Sequence, residues 1–276
     1  MRRPALLLSS LSAWALFATL AWSAAKEPKH PTRGHAHNDY EHARPLLDAL
    51  EQGFFSVEAD IHLVDGRLLV AHDRAGVRPE RTLEALYLEP LARRVKDNGG
   101  QVYPGGRGFV LLVDIKTEAE STYAALDKVL AKYADMLTFV RDGFEEKRAV
   151  TIILSGERPR ATLASQKLRR AGYDGRIEDL DSKDSPHLMP LISDNWTLRF
   201  KWRGDGAFPE EERLRLQDIL ERAQAKGRGV RFWATPDKPA VWNALYDAGV
   251  DLINTDDLKG LAEFLRSRAE ERKPAK

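Results

Sequence analysis

Apolar, β-rich runs recur along the chain from residue 34 onward, and amphipathic stretches of helical period separate most of them. "SVEADIHLV" (56–64) reads as a strand, and the turn "DG" (65–66) leads from it into a second extended run, "RLLVAH" (67–72). "FVLLVDIK" (109–116), after the turn "PGGRG", is a near-continuous apolar strand. "AVTIILSG" (149–156), a weaker "GRIEDL" (175–180), "TLRFKW" (197–202), "GVRFWATPD" (229–237) and "VDLINTDD" (250–257) continue the series. Helical periodicity covers residues 43–51, 118–136, 159–171, 209–226, 239–248 and 258–270. With "GHAHND" at residue 34 counted as the first, eight β-runs mostly separated by helices predict an α/β fold, a single (β/α)8 TIM barrel. The runner-up, a doubly wound open sheet, lacks the G-x-G-x-x-G turn that would support it.

The first 25 residues break this pattern. Arg2 and Arg3 precede an uncharged run from Pro4 to Ala25 that closes on "SAA". A positive start, an apolar middle and a small-residue end predict a cleaved secretory signal peptide at 1–25; an uncleaved membrane anchor is the alternative. A linker at 26–31, one barrel domain over 32–268 and a charged tail at 269–276 complete the expected organisation. The mature protein is expected to be exported, to the periplasm or outside the cell.

Composition narrows the chemistry. The 276 residues carry a net charge of +1, which leaves no basic footprint for nucleic acid. Cysteine is absent, so disulfides, thiolate metal sites and cysteine nucleophiles are excluded.

Five of the seven histidines fall between His35 and His72. In a barrel of this kind the active site lies at the C-terminal ends of the strands, and the unusual residues collect there. His35, His37 and Asn38 end the first strand. Glu58 and Asp60 share one face of the second, as do Asp114 and Lys116 on the third, by the period-2 alternation of strands. His72 ends the hairpin partner. An all-oxygen set of Glu58, Asp60, Asp114 and Asn38 suits a hard divalent cation, Mg²⁺ or Ca²⁺, and leaves histidines free for proton transfer near neutral pH. That division suits phosphoryl chemistry, with Lys116 placed to hold a non-bridging oxygen and Trp233 to wall the pocket. Lys116 also has a plainer reading, as a partner of Asp114 or Glu118. Asp39 and His42 read as helix-entry and surface groups, Trp202 as the end of the sixth strand, and Asn254 and Asp256 as second-tier candidates.

These residues resemble a superfamily of barrel phosphodiesterases that includes glycerophosphodiester phosphodiesterases, phosphoinositide-specific phospholipase C and sphingomyelinase D. The shared pattern is a His after the first strand, an E-x-D on the second, a His about 14 residues on, and a carboxylate on the next strand. Here it reads His37, "VEAD" (57–60), "LLVAHD" (68–73) and "VDIK" (113–116), with 72 − 58 = 14. "HND-Y" (37–40) is similar to the phospholipase C motif whose His is catalytic and whose Asn binds metal, which favours His37. "GH" with a later Asn is similar to the sphingomyelinase D form and favours His35. "FWATPDKPAVWNALYDAGVDLINTDD" (232–257) is like the superfamily's closing segment. As a whole the chain most resembles the branch around altered inheritance of mitochondria protein 6, over roughly residues 32–262. It departs from glycerophosphodiester phosphodiesterases in lacking "HRG" and "PENT" segments and in the short span from His72 to Asp114.

The resemblance implies a metal-dependent phosphoric diester hydrolase with His/His acid–base catalysis. Its substrate would be a small-molecule or lipid phosphodiester, with peripheral membrane contact in the lipid case, and the protein would act as a monomer. Two other readings stand beside it. An amidohydrolase-like barrel would place His35 and His37 on a transition metal, but beyond His72 only His187 remains to complete such a site. A catalytically idle barrel that binds a phosphorylated or carbohydrate ligand would keep the pocket without turnover.

Overall fold

In a computed structural model that describes residues 33–271, the chain opens with β1 (Gly34–Ala36), α1 (Leu47–Gln52), β2 (Ser56–Val64), β3 (Arg67–Val70), α2 (Glu89–Asp97), β4 (Phe109–Ile115) and α3 (Ala119–Lys132). It continues through β5 (Phe139–Arg141), β6 (Phe144–Glu146), β7 (Val150–Gly156), α4 (Arg160–Ser165), β8 (Leu168–Arg169), β9 (Ala171–Gly175) and β10 (Leu191–Asn195). The last elements are α5 (Trp196–Arg199), α6 (Glu210–Gln224), β11 (Gly229–Trp233), α7 (Pro239–Ala248), β12 (Leu252–Thr255) and α8 (Leu258–Glu271). The expected signal peptide and linker lie outside the described residues. Of the expected charged tail, residues 269–271 belong to α8, and residues 272–276 lie outside the described range.

Strands β1, β2, β4, β7, β9, β10, β11 and β12 pair in parallel in that order, and β12 pairs back onto β1. The result is the closed eight-stranded barrel expected from the pattern, with β3 hairpinned antiparallel onto β2. Alternation along each strand sorts the side chains into two environments. Val57, Ala59, Ile61, Leu111, Val113 and Ile115 join the main core, packed with helix residues such as Leu126, Leu216 and Leu261. The opposite faces fill the barrel. Leu112, Ile153 and Leu191, with Val110 and Leu252, form a separate apolar plug. Around the barrel the rest of the filling is polar, with Glu58, Asp60, Asp174, Ser193, Arg231 and Asn254 all buried. A polar layer over an apolar plug is what a site at the C-terminal mouth requires.

Three expectations are corrected. "GRIEDL" (175–180) is not a strand: the strand is β9, which ends at Gly175, and Ile177–Asp179 turns as a 3₁₀ helix. "TLRFKW" (197–202) is not the sixth strand; that place belongs to β10, "LISDN", and α5 follows at once. Asn195 caps α5 by accepting from Thr197 N at 2.8 Å. Trp196 and Phe200, four apart, then stack at 4.1 Å, so Trp202 sits in the loop beyond and packs on Phe208. The helix expected over 159–171 stops at Ser165, and Leu168–Arg169 instead joins a small antiparallel sheet with β5 and β6 outside the barrel.

Candidate active site

The acidic cluster follows directly from strand register. β2 and β4 run side by side with Asp60 opposite Asp114, so two carboxylates meet across the pair and Glu58 lies one step below. Glu58, Asp60 and Asp114 each offer an oxygen within 4.8 Å of the others. Lys116 Nζ sits 2.9 Å from Asp60 and 3.1 Å from Asp114, the partnership with Asp114 expected and that with Asp60 replacing Glu118. Burial pushes the Asp60 carboxyl up to about 6, helped by Glu58 and Asp114; Asp114 is raised for the same first reason. Burial works against the Lys116 charge, yet Asp114 and Asp60 together raise its pKa.

Gly156 makes room for this arrangement. Its backbone is left-handed, with φ +67°, and a Cβ there would lie 2.3 Å from Asp114 Oδ1. Gly156→Ala is therefore expected to destabilise the fold by about 1–3 kcal/mol and to weaken cation binding, measured by urea unfolding and metal titration.

Beneath the carboxylates lies a buried ionic layer. Arg231 on β11 donates to Glu58 Oε2 at 2.5 Å and, through Nε and Nη2, to Asn254 Oδ1 at 3.0 and 2.8 Å. Burial pushes the Glu58 carboxyl up, but the Arg231 guanidinium and the bond with His35 outweigh it and hold it below the usual carboxylate range. His35 lies between Ser56 Oγ at 2.6 Å and Glu58 Oε2 at 3.4 Å. Burial first, then Arg231, lowers its pKa to about 3, so the ring is neutral. The consistent arrangement has Ser56 donating to Nδ1 and Nε2–H donating to Glu58. His35 is thus wholly enclosed and props Glu58.

The two remaining candidate histidines sit higher. His37 Nδ1 lies 2.9 Å from Asp256 Oδ1, a carboxylate that orients the ring. His72 follows β3, with its Nδ1 3.2 Å from the Tyr40 hydroxyl and 3.4 Å from Asp60 Oδ2. Among the described residues neither Nε2 has a hydrogen-bond partner. Asn38, between them in sequence, adopts φ 45°, a left-handed conformation that asparagine tolerates better than most residues. Its Oδ1 and Asp60 Oδ2 are each 2.8 Å from the Tyr40 hydroxyl.

The donor set fits a hard cation. All candidate ligand atoms are oxygens, and Asp60 Oδ1 is buried with no hydrogen-bond partner among the described residues, a costly state that a cation would relieve. Glu58, Asp60, Asp114 and Asn38 are the residues that would hold it.

Residues 25–174 match the AIM6-like phosphodiesterase domain, and residues 229–259 match the glycerophosphoryl diester phosphodiesterase family. The chain belongs to the AIM6-like phosphodiesterase family. An altered inheritance of mitochondria protein 6 homolog from Arthroderma benhamiae is 30% identical, the match covering 84% of this chain and 85% of that protein. The protein of that name from Eremothecium gossypii is 28% identical over 84% of this chain and 69% of its own length. Two solved structures share the fold. A glycerophosphodiester phosphodiesterase from Parabacteroides distasonis aligns with a TM-score of 0.53 at 17% identity, covering 88% of this chain and 100% of that one. A calcium-dependent phosphoinositol-specific phospholipase C from a Pseudomonas species gives 0.55 at 12% identity, over 82% and 89% of the two chains.

Within this AIM6-like barrel the rim beyond the carboxylates is aromatic and cationic. Trp233 ends β11 half-buried, and the Arg176 guanidinium lies 4.8 Å over its ring while pairing with the buried Asp174 at 2.8 Å. On the other side, a cavity of about 540 Å³ opens at Tyr40 and His72 and is lined further out by His42, Arg78 and Arg81. One expectation differs here. Asp39 is no surface group but fully buried, accepting from Leu46 N and from the Tyr87 hydroxyl at 2.9 Å. His62, on the same strand face as Glu58 and Asp60, is tied to Ala71 O at 3.2 Å and stands apart from the cluster.

Arg231, Gly156 and Arg176 were not singled out from the sequence, and Tyr40 entered only as the last residue of "HND-Y", with no role of its own. For Arg231 a signal existed: in "GVRFW" it shares the barrel-facing parity of Trp233, and a cation there needs an anion inside.

Proposed function

We propose that the protein is an exported, metal-dependent phosphoric diester hydrolase acting on a phospholipid head group or a glycerophosphodiester-like molecule. The observation that carries this reading is the pair His37 and His72, each tied at Nδ1 and, among the described residues, free at Nε2, beside a carboxylate cluster of cation-holding size. A divalent cation, Mg²⁺ or Ca²⁺, held by Glu58, Asp60, Asp114 and Asn38 would supply charge neutralisation for the phosphate and its transition state. The chain's own groups do the rest. One histidine takes the proton of the attacking oxygen, from water or a neighbouring hydroxyl of the substrate, and the other gives a proton to the leaving alcohol. When a substrate hydroxyl attacks, a cyclic phosphate forms first and the two histidines exchange roles to open it. Lys116 holds a non-bridging oxygen, and Trp233 with Arg176 walls the pocket.

The family membership supports phosphodiester chemistry, and the "SAA" segment supports export, which N-terminal sequencing of the mature protein checks. The deciding experiment is ³¹P NMR on a panel of phosphodiesters with Mg²⁺, with Ca²⁺ and with a chelator. Chelation is expected to abolish turnover, and His37→Ala and His72→Ala each to cost about 10²-fold or more. Undiminished activity in the double variant, or ligand binding without turnover of any diester, would overturn the reading.

A further inference from the structure

Tyr40 is 3% exposed, yet its hydroxyl meets three groups of the site: Asn38 Oδ1 at 2.8 Å, Asp60 Oδ2 at 2.8 Å and His72 Nδ1 at 3.2 Å. The proton inventory of this cluster is restrictive. A phenol has one proton to donate, whereas an ionised carboxylate and an amide oxygen only accept. Once that proton goes to Asp60 or Asn38, the phenol oxygen can meet His72 only as an acceptor, so Nδ1 must carry hydrogen. The His72 side chain is 63% exposed, so packing alone does not set its orientation. Its hydrogen bond to a rigidly buried hydroxyl, at 3.2 Å, does so together with the longer 3.4 Å approach to Asp60 Oδ2.

We propose that Tyr40 is a positioning residue that fixes His72 as the Nδ1–H tautomer, leaving Nε2 as the atom that exchanges a proton with the substrate. Tyr40 thereby holds His72 Nδ1 beside Asp60, itself 3.4 Å away, much as Asp256 stands against His37. Which nitrogen of a histidine carries the proton is set by the hydrogen bond its other nitrogen makes; without the hydroxyl, His72 loses that constraint. This inference rests on reading His72 as an acid–base group.

Two measurements test it on the full chain. The first is the ¹⁵N NMR spectrum of the histidine rings above their titration, with the His72 signals assigned by their loss in His72→Ala. Nδ1–H is expected to dominate at His72 in the wild type, and Tyr40→Phe to move the population toward Nε2–H. A predominantly Nε2–H ring in the wild type, or a tautomer unchanged in the variant, overturns the proposal. The wild-type spectrum decides alone if the variant does not fold. The second is steady-state hydrolysis of bis(p-nitrophenyl) phosphate at saturating Mg²⁺. Tyr40→Phe is expected to lower kcat about 10- to 100-fold with KM little changed. The double variant with His72→Ala should be no slower than His72→Ala itself, and losses that multiply instead would place the action of Tyr40 elsewhere. A wild type that turns over no diester defeats the phosphodiesterase reading, while the ring spectrum still tests the tautomer.

Discussion

Saturating Mg²⁺ or Ca²⁺ is expected to raise Tm at pH 7 by roughly 5–10 °C and to do far less at pH 4.5, read by thermal unfolding across a pH series. The size follows from linkage: a ligand at a hundred times its Kd stabilises the folded state by about 2.7 kcal/mol. The pH dependence follows from the carboxylates. Burial raises Asp60 to about 6 in the folded protein, and Asp114 moves the same way, whereas an unfolded aspartate ionises near pH 4. A raised carboxyl binds its proton more tightly when folded, so its stabilising contribution is complete below about pH 4 and lost as pH rises through about 6. In the metal-free protein, ionisation of Asp60 and Asp114 therefore strains the fold toward neutral pH. A cation binds the ionised form and relieves that strain, so its effect grows over the same window. Asp60→Asn should abolish most of the metal-induced shift and reduce diester turnover to background. A shift equal at both pH values, or one that survives Asp60→Asn, would place the cation elsewhere.

The cluster behind this prediction was legible because barrel parity and chemistry point the same way. "VEAD" and "VDIK" each set a charged pair two apart on strands that are otherwise apolar, and parallel register then brings Asp60 opposite Asp114. Fold legibility failed where strands are short and carry no apolar run. β9 is "AGYDG" and β10 "LISDN"; three of the five residues in each are glycine or polar. Their apolar neighbours misled, since "TLRFKW" alternates like a strand while Leu198 is in fact 77% exposed and the local capping by Asn195 starts a helical turn. What Tyr40 and Arg231 do escaped for another reason. Their roles come from partners far along the chain, Tyr40 to His72 and Arg231 to Glu58, and no local periodicity encodes such pairings. The left-handed Gly156 is equally silent until the position of Asp114 Oδ1 is known.

Arg231→Met is expected to be the most destabilising single change at the site, costing about 3–5 kcal/mol in urea unfolding. Glu58 and Arg231 are both almost fully buried and joined at 2.5 Å. Among the described residues, the other group on that carboxylate oxygen is His35, itself neutral. Removing the guanidinium leaves an anion enclosed in the barrel, away from the water that would solvate it. Asn254 Oδ1 would lose both of its Arg231 donors at the same time. The arginine is thus bound to the carboxylate rather than to stability in general, and a double-mutant cycle separates the two. Glu58→Gln in the Arg231→Met background removes the stranded charge and should restore much of the lost stability, without restoring turnover, because the cluster has lost an anionic oxygen. If both single variants and the double variant lose stability additively, the pair acts as two independent packing elements. A strong positive coupling instead identifies Arg231 as the counter-charge that keeps Glu58 ionised beneath the mouth, where an ionised Glu58 is what a cation needs.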